Sequence, residues 1–287
     1  MKDNPTFSLI MATLGRDKEI VAFCKSLASQ SQKNYELIIV DQNDDDRVIP
    51  IVEEFKTQFP ITHIRSSQKG LSHNRNIGLQ YAHGDIIAFP DDDCEYKTDT
   101  LEFVYKNLCF YDFVTVNSED VQNPSLPKFS CEKEMKISVQ NFFKVGISYG
   151  IFVKAEFLNG FSFDEELGVG ARYGAGEDSD LILYLLAKKL NGFYFGTYFV
   201  LHPYKPLDNE DTRRAFSYAL GCGAIYKKSI SAYHNCEHLK VFFILLLKNC
   251  VGLLISHKRK YHFVSLKGKI KGFISYSKGV FNDISNR

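Results

Sequence analysis

The chain has 287 residues, 45% of them hydrophobic and 24% charged, with a formal net charge of +1. That length and apolar content allow one large domain, or a domain plus an appendage, and exclude an intrinsically disordered chain. Seven cysteines, odd in number and without a Cys-x-x-Cys pair, argue against a disulfide framework or zinc ribbon and for reduced thiols in a cytosolic setting.

The amino terminus, Met-Lys-Asp-Asn-Pro, is polar and leads straight into a strand, which predicts no signal peptide and an intracellular location. Residues 7–13 read as a buried strand, 18–30 as an amphipathic helix and 35–41 as a second strand of continuous Leu, Ile and Val. Helix over 49–59, strand over 61–66, helix over 71–81 and strand over 85–90 follow. Strand and helix alternate, so we expect an α/β fold: a mostly parallel central sheet with helices on both faces. In such sheets ligands gather at the carboxyl ends of strands, near a switch in strand order. Thr13, Asp41 and Asp91 to Asp93 all fall at such ends.

A helix over 98–110 and a strand over 113–117 come next, then a polar, proline-broken loop over 118–136. Sheet-like segments return around 146–154, and a glycine-rich stretch, 168–176, precedes a helix from 177 to about 191. Residues 193–202 read as an aromatic strand ending in His-Pro. The expected division is a domain over 1–205, with halves 1–117 and 118–205, and a helical, basic and apolar tail over 206–287.

Within that tail, residues 240–287 hold ten Lys or Arg against one acidic residue, which leaves 25 basic and 33 acidic residues in the first 239. An acidic body therefore carries a basic tail suited to an anionic partner. The window 241–256 is the most apolar of the chain, but its 16 residues, with Lys248 and Asn249 inside, fall short of the ~20 needed to span a bilayer. On a helix, Lys248, Asn249, Gly252 and Ser256 form one polar stripe, and His257 to Lys260 add charge at the end. Such a segment can lie in anionic lipid or pack on protein. The basic residues flank an apolar helix instead of interleaving with stacking aromatics, so no nucleic-acid partner is expected.

Asp91, Asp92 and Asp93 place three like charges at the end of an apolar strand, which costs free energy unless a positive group sits there. Mg²⁺ or Mn²⁺ meets that need, taking carboxylate oxygens while leaving positions for substrate phosphates. A solvated acidic turn capping the next helix is the plainer alternative. Asp41 to Asp45 imitates the start of a calcium loop, but Asp46 and Val52 stand where that loop requires Gly and Glu.

Five segments in order, Ser-Leu-Ile-Met-Ala-Thr-Leu-Gly-Arg (8–16), Glu-Leu-Ile-Ile-Val-Asp (36–41), Gly-Leu-Ser-His-Asn-Arg-Asn-Ile-Gly (70–78), Asp-Asp-Asp (91–93) and Gly-Glu-Asp-Ser-Asp-Leu (176–181), resemble family 2 glycosyltransferases over roughly the first 200 residues. The resemblance implies a GT-A fold, a nucleotide-diphosphate sugar donor, usually a UDP-sugar, a divalent metal and transfer with inversion. It assigns Thr13, Arg16 and Asp41 to the base and ribose, with Asp41 accepting the uracil N–H, and Arg75 to the phosphates. Capping of the helix or turn that follows is the plainer alternative for Thr13 and Asp41. Asp91 is then expected near ribose or metal, Asp93 as direct metal ligand, and Asp92 in the variable middle position near the donor.

The same resemblance makes Asp178 the general base that deprotonates the acceptor hydroxyl, with Glu177 beside it; charge at a helix amino terminus is the alternative for both. Asp180 is read as stabilising that helix start. His202 matches a metal-binding histidine, which would favour Mn²⁺ over Mg²⁺. Tyr149, Gly150 and residues 161–165 match the acceptor-side wall. The resulting expectation is a metal-dependent inverting glycosyltransferase of the bacterial surface-polysaccharide type, peripheral on the inner face of the cell membrane. Its acceptor would be a glycan or a polyprenyl-linked oligosaccharide. Rival readings are a sugar nucleotidyltransferase, disfavoured by a single glycine in 12–17, and a non-catalytic membrane-bound scaffold.

Overall fold

A computed structural model describes residues 6–123, 131–204 and 212–277. These residues form two compact units, Met1–Phe163 with Lys188–Tyr204, and Asp164–Ala187 with Lys205–Arg287.

The first unit contains β1 (Phe7–Thr13), α1 (Lys18–Ala28), β2 (Tyr35–Asp41), α2 (Ile49–Phe55), β3 (Ile61–Arg65), α3 (Leu71–Leu79), β4 (Ile86–Ala88) and α4 (Thr100–Leu108). It continues with β5 (Phe113–Glu119), β6 (Met135–Lys136), α5 (Phe142–Val145), β7 (Ile151–Lys154) and β8 (Gly192–Leu201). The strands make one sheet in the order β3-β2-β1-β4-β7-β5-β8-β6. β1 pairs in parallel with both β2 and β4, so the chain leaves β1 in opposite directions across the sheet, which opens a crevice at the carboxyl ends of β1 and β4. β7 enters antiparallel between β4 and β5, β5 and β8 are parallel, and β6 closes the far edge antiparallel.

Every residue of β1 and β2 is buried, as strands covered on both faces require. Phe7, Leu9 and Met11 pack with Ile20, Phe23 and Leu27 of α1, Phe55 of α2 and Leu101 and Val104 of α4. The opposite face meets α3, where Gly78 lies so close that a Cβ there would stand 2.3 Å from Ile10 Cγ2. Helices therefore cover both faces of a mixed sheet in which parallel pairings predominate, as the alternating pattern implies.

Helix ends recede by two to four residues from their expected positions, because the closing turns are irregular. The loop expected over 118–136 is interrupted by β6, whose two residues are too few to leave a periodic signature; its stretch 124–130 lies outside the described residues.

The second unit contains α6 (Glu177–Ala187), α7 (Thr212–Ser231), α8 (Glu237–Ile255) and α9 (Arg259–Ser275). α7 and α9 approach through small residues: a Cβ on Gly272 would meet the Leu220 carbonyl oxygen at 2.0 Å, and one on Gly268 would stand 2.7 Å from Ala219 Cβ. Phe242 of α8 stacks on Phe273 of α9 with ring centroids 4.4 Å apart and joins Cys222 and Tyr226 of α7 in a small apolar cluster. α8 differs from its expected extent. It takes in Glu237 to Lys240 and reaches 19 residues, long and apolar enough to cross a bilayer by length and composition. Lys278 and Arg287 of the basic tail lie outside the described residues.

Candidate active site

Asp91, Asp92 and Asp93 follow β4 and face groups supplied by three other segments. Arg16, in the turn after β1, reaches Asp92 Oδ1 with Nε at 3.0 Å and Asp93 Oδ2 with Nη1 at 2.5 Å. Thr13 Oγ1 donates to Asp92 Oδ2 at 2.7 Å, and Arg75 of α3, fully buried, donates from Nη2 to Asp91 Oδ1 at 2.9 Å. Ser148 Oγ donates to the same Asp91 oxygen at 3.2 Å. The positive charge that an acidic cluster demands is thus supplied in part by two arginines. Burial is the leading cause that pushes the Asp92 carboxyl up to about 6, with Asp91 and Asp93 adding to it and Thr13 and Arg16 opposing it. Burial also acts against the Arg16 charge, but Asp92 and Asp93 outweigh it and raise that guanidinium further.

His202 follows β8, its ring stacked on Tyr149 with centroids 4.4 Å apart and planes 9° apart. Its backbone N–H donates to the Glu119 carbonyl, and Tyr149 Oη donates to Ser118 Oγ, so imidazole and phenol are both held in place. His202 Nε2 lies 3.1 Å from Asp93 Oδ1 and 3.9 Å from Asp91 Oδ2. One ligand atom from each of Asp91, Asp93 and His202 falls within 4.8 Å of the others, a spread that one divalent ion can bridge. The donor set fits such an ion: two carboxylates after β4, the strand next to β1, and an imidazole after β8. Gly150 has a packing reason of its own, since a Cβ there would stand 2.8 Å from the Val116 carbonyl oxygen.

Asp41 ends β2 in register with Thr13. Its carboxylate is wholly buried: Oδ1 accepts from the backbone N–H and the Nδ2 of Asn43 at 2.9 and 2.7 Å, and Oδ2 lies 3.1 Å from His63 Nε2 and 3.8 Å from Arg65 Nε. His63 and Arg65 come from β3, and no local motif marks either of them. Asn43 Oδ1 also accepts from the Gly15 N–H at 2.6 Å, which ties the turn after β1 to the turn after β2. Gly15 has φ +78°, a conformation that suits glycine. Thr13, Arg16, Asp41, Arg75, Asp91, Asp92, Asp93, Tyr149, Gly150 and His202 all belong to the first unit.

Glu177 and Asp178 belong to the second unit and open α6. Asp178 is half-buried, and its Oδ1 accepts from the Ser179 N–H at 2.6 Å. Asp180 differs from its expected role at the helix start. Its side chain is buried and accepts from Lys228 Nζ of α7 at 2.7 Å and from Tyr233 Oη at 2.9 Å, because it points into the packed helices. The same ammonium reaches Asp164 Oδ2 at 3.1 Å, and Tyr276 Oη donates to that oxygen at 2.6 Å. Lys228 is thus a buried cation between two carboxylates, which no spacing in the sequence reveals. Burial acts against its charge, but Asp180 and Asp164 more than compensate and raise its pKa.

A sheet with this strand order, ending in an acidic cluster beside the turn after β1, is that of a GT-A nucleotide-diphospho-sugar transferase. The family model "Glycosyl transferase family 2" matches residues 8–168, and the chain belongs to that family. A Campylobacter jejuni relative, GalNAc(5)-diNAcBac-PP-undecaprenol beta-1,3-glucosyltransferase, is 29% identical over 172 residues, 56% of each chain. The Staphylococcus aureus TarS 1-349 structure in complex with UDP-GlcNAc superposes with a TM-score of 0.59 at 16% identity, over 93% of this chain and 89% of that one. The mannosyltransferase PcManGT of Pyrobaculum calidifontis, in complex with GDP-Man and Mn²⁺, gives a TM-score of 0.64 at 14% identity, over 94% of this chain and 88% of that one. The chain spans only 29%, 21% and 29% of the length of three other curated relatives that it matches.

Proposed function

We propose that this chain is an inverting glycosyltransferase that moves a sugar from a UDP-sugar to a hydroxyl of a glycan or polyprenyl-linked oligosaccharide, in the assembly of a surface polysaccharide. The observation that carries the reading is the Asp91, Asp93 and His202 cluster at the carboxyl end of the sheet of a family 2 chain. In this reading Asp41, with Thr13 and Arg16, holds uridine, and Arg75 fixes Asp91 toward the diphosphate. Asp91, Asp93 and His202 would hold the metal, Mn²⁺ in preference to Mg²⁺ because one ligand is an imidazole. When bound, that ion would supply positive charge against the diphosphate oxygens.

The acceptor O–H gives its proton to the Asp178 carboxylate as the oxygen forms a bond to the sugar's C1. The C1–O bond to the diphosphate breaks on the opposite face, its electron pair leaves with the phosphate oxygen, and UDP is the second product. The acceptor-side roles of Tyr149 and Gly150 in the first unit, and of Glu177 in the second, rest on the family resemblance. The UDP-GlcNAc complex of the TarS neighbour supports a nucleotide-sugar donor, the Mn²⁺ of the PcManGT neighbour supports a metal, and the name of the Campylobacter relative supports a lipid-carried acceptor. In this reading the enzyme works on the inner face of the cell membrane, with the carboxyl-terminal helices as its contact.

The test is release of nucleoside diphosphate from a panel of UDP-, GDP- and dTDP-sugars, with Mn²⁺ and with EDTA. UDP-sugars should turn over fastest and only with metal. Equal turnover of all three, or turnover in EDTA, would remove the base reading at Asp41 or the metal reading at the aspartates.

A further inference from the structure

α8 is built inside out for a surface helix. Its buried side carries His238, Phe242, Asn249 and Gly252, so that half of the polar stripe anticipated from the sequence points inward. There Asn249 donates from Nδ2 to the His262 carbonyl oxygen at 3.3 Å and accepts from Lys269 Nζ at 3.2 Å, and Lys269 also donates to Ser265 Oγ at 2.7 Å. His238 Nδ1 lies 2.6 Å from Ser229 Oγ of α7. His238 and Asn249 of α8 are therefore spent on its own helical neighbours.

The outward side is apolar. Phe243, Ile244, Leu247, Val251, Leu254 and Ile255 are exposed, Leu254 at 74% and Ile255 at 77%. At 100° per residue these six lie within one 120° sector, and from Phe243 to Ile255 they run for roughly 18 Å along the helix. A contiguous apolar strip of this kind on a folded protein marks a surface that something covers. Its surroundings identify the occupant. Lys240 stands at one end, Lys248 on the flank, and exposed Lys258, Arg259 and Lys260 at the other end, while Glu237 is the acidic residue of α8 and α9 has none.

We propose that this strip is a docking surface for an anionic lipid bilayer, on which α8 lies along the interface with its six apolar side chains in the acyl region and the surrounding lysines and arginine among phosphate headgroups. This deepens the membrane placement above without depending on the donor or the chemistry assigned there. α8 lies flat instead of crossing, because one whole side is occupied by α7 and α9 and Lys248 sits exposed at mid-helix. A partner protein would need an acidic rim to match the same basic ends, whereas a bilayer of anionic lipid offers both the apolar layer and the charge.

The experiment is co-sedimentation of the full chain with vesicles of phosphatidylcholine alone and with phosphatidylglycerol added, alongside light scattering without lipid. The chain should pellet with the anionic vesicles and should be released by salt. Lys258→Gln, Arg259→Gln and Lys260→Gln combined, all at exposed positions, should weaken anionic-vesicle binding by roughly a hundredfold, at about fivefold per charge. Leu247→Glu with Leu254→Glu should abolish it, and UDP-induced thermal stabilisation should persist in both variants as a check that the first unit is intact. Equal binding to both vesicle types, no binding at all, or a dimer that dissociates on Leu247→Glu would overturn the proposal, the last by assigning the strip to a second copy of the chain. Loss of UDP stabilisation in the unaltered chain would instead undercut the donor reading and leave the lipid result standing.

Discussion

Arg16 and His202 approach the same carboxylate from opposite oxygens: Arg16 Nη1 lies 2.5 Å from Asp93 Oδ2, and His202 Nε2 lies 3.1 Å from Asp93 Oδ1. Asp93 therefore divides its charge between a fixed guanidinium and the side on which a metal would sit. Replacing the guanidinium by a neutral amide leaves more of that charge for an ion. Arg16→Gln should raise Mn²⁺ affinity roughly tenfold, or ~1.4 kcal/mol, read as a larger Mn²⁺-induced rise in melting temperature. The same variant should weaken UDP stabilisation, and a Mn²⁺ response unchanged from the parent would separate Arg16 from the metal side of the cluster.

Asp178→Asn keeps size and polarity at the start of α6 but removes the carboxylate proposed as proton acceptor. Transfer to an acceptor should fall by about 10²–10⁴ in kcat, the range typical of losing a general base, while thermal stabilisation by UDP and Mn²⁺ stays at the parent level. Full activity in this variant would return Asp178 to the role of a helix-terminus charge.

Lys228→Met removes the cation between Asp164 and Asp180 and leaves two buried carboxylates facing an apolar chain. The loss should be about 3–5 kcal/mol in urea unfolding, as for other broken buried pairs. Adding Asp180→Asn to Lys228→Met should recover part of it, because a neutral amide is less costly to bury than an unpaired charge.

The same trio sets an alkaline limit. The Lys228 pKa stands above its ordinary 10.5 in the folded chain, despite burial and on account of Asp180 and Asp164. Its contribution is therefore fully present below pH 10.5 and is lost as pH rises through the folded value. Asp164 works in the opposite sense: burial opposes its ionisation, but Lys228 and Tyr276 hold its pKa below 3.8, so its share is present above 3.8 and fades as pH falls through the folded value. Melting temperatures followed from neutral pH to above 11 should drop steeply in the parent and less so in Lys228→Met, which has no ammonium to titrate.

Much of this architecture can be read from the chain because its parts repeat or cluster locally. β1 and β2 are buried on both faces and appear as unbroken apolar runs, and the aspartates at 91–93 are adjacent. The partners that hold Asp41, Asp91 and Asp180 are not local. His63 meets Asp41 from 22 positions away, Ser148 meets Asp91 from 57, and Lys228 meets Asp180 from 48, so no periodicity links them. Asp180 looks like a helix-start charge until its buried neighbours are known. In α8 the stripe of polar residues is visible in sequence, yet which side faces the protein depends on Asn249 finding His262 and Lys269, groups on a different helix.

The hydroxyl of Tyr276, one residue beyond α9, closes onto Asp164 at 2.6 Å, and Gly268 and Gly272 seat α9 on α7. Shortening the gene ahead of α8 to obtain a better-behaved preparation would thus strip a brace from Asp164 and lay bare the Ala219 and Leu220 side of α7. Preparations that keep the carboxyl-terminal helices avoid both losses.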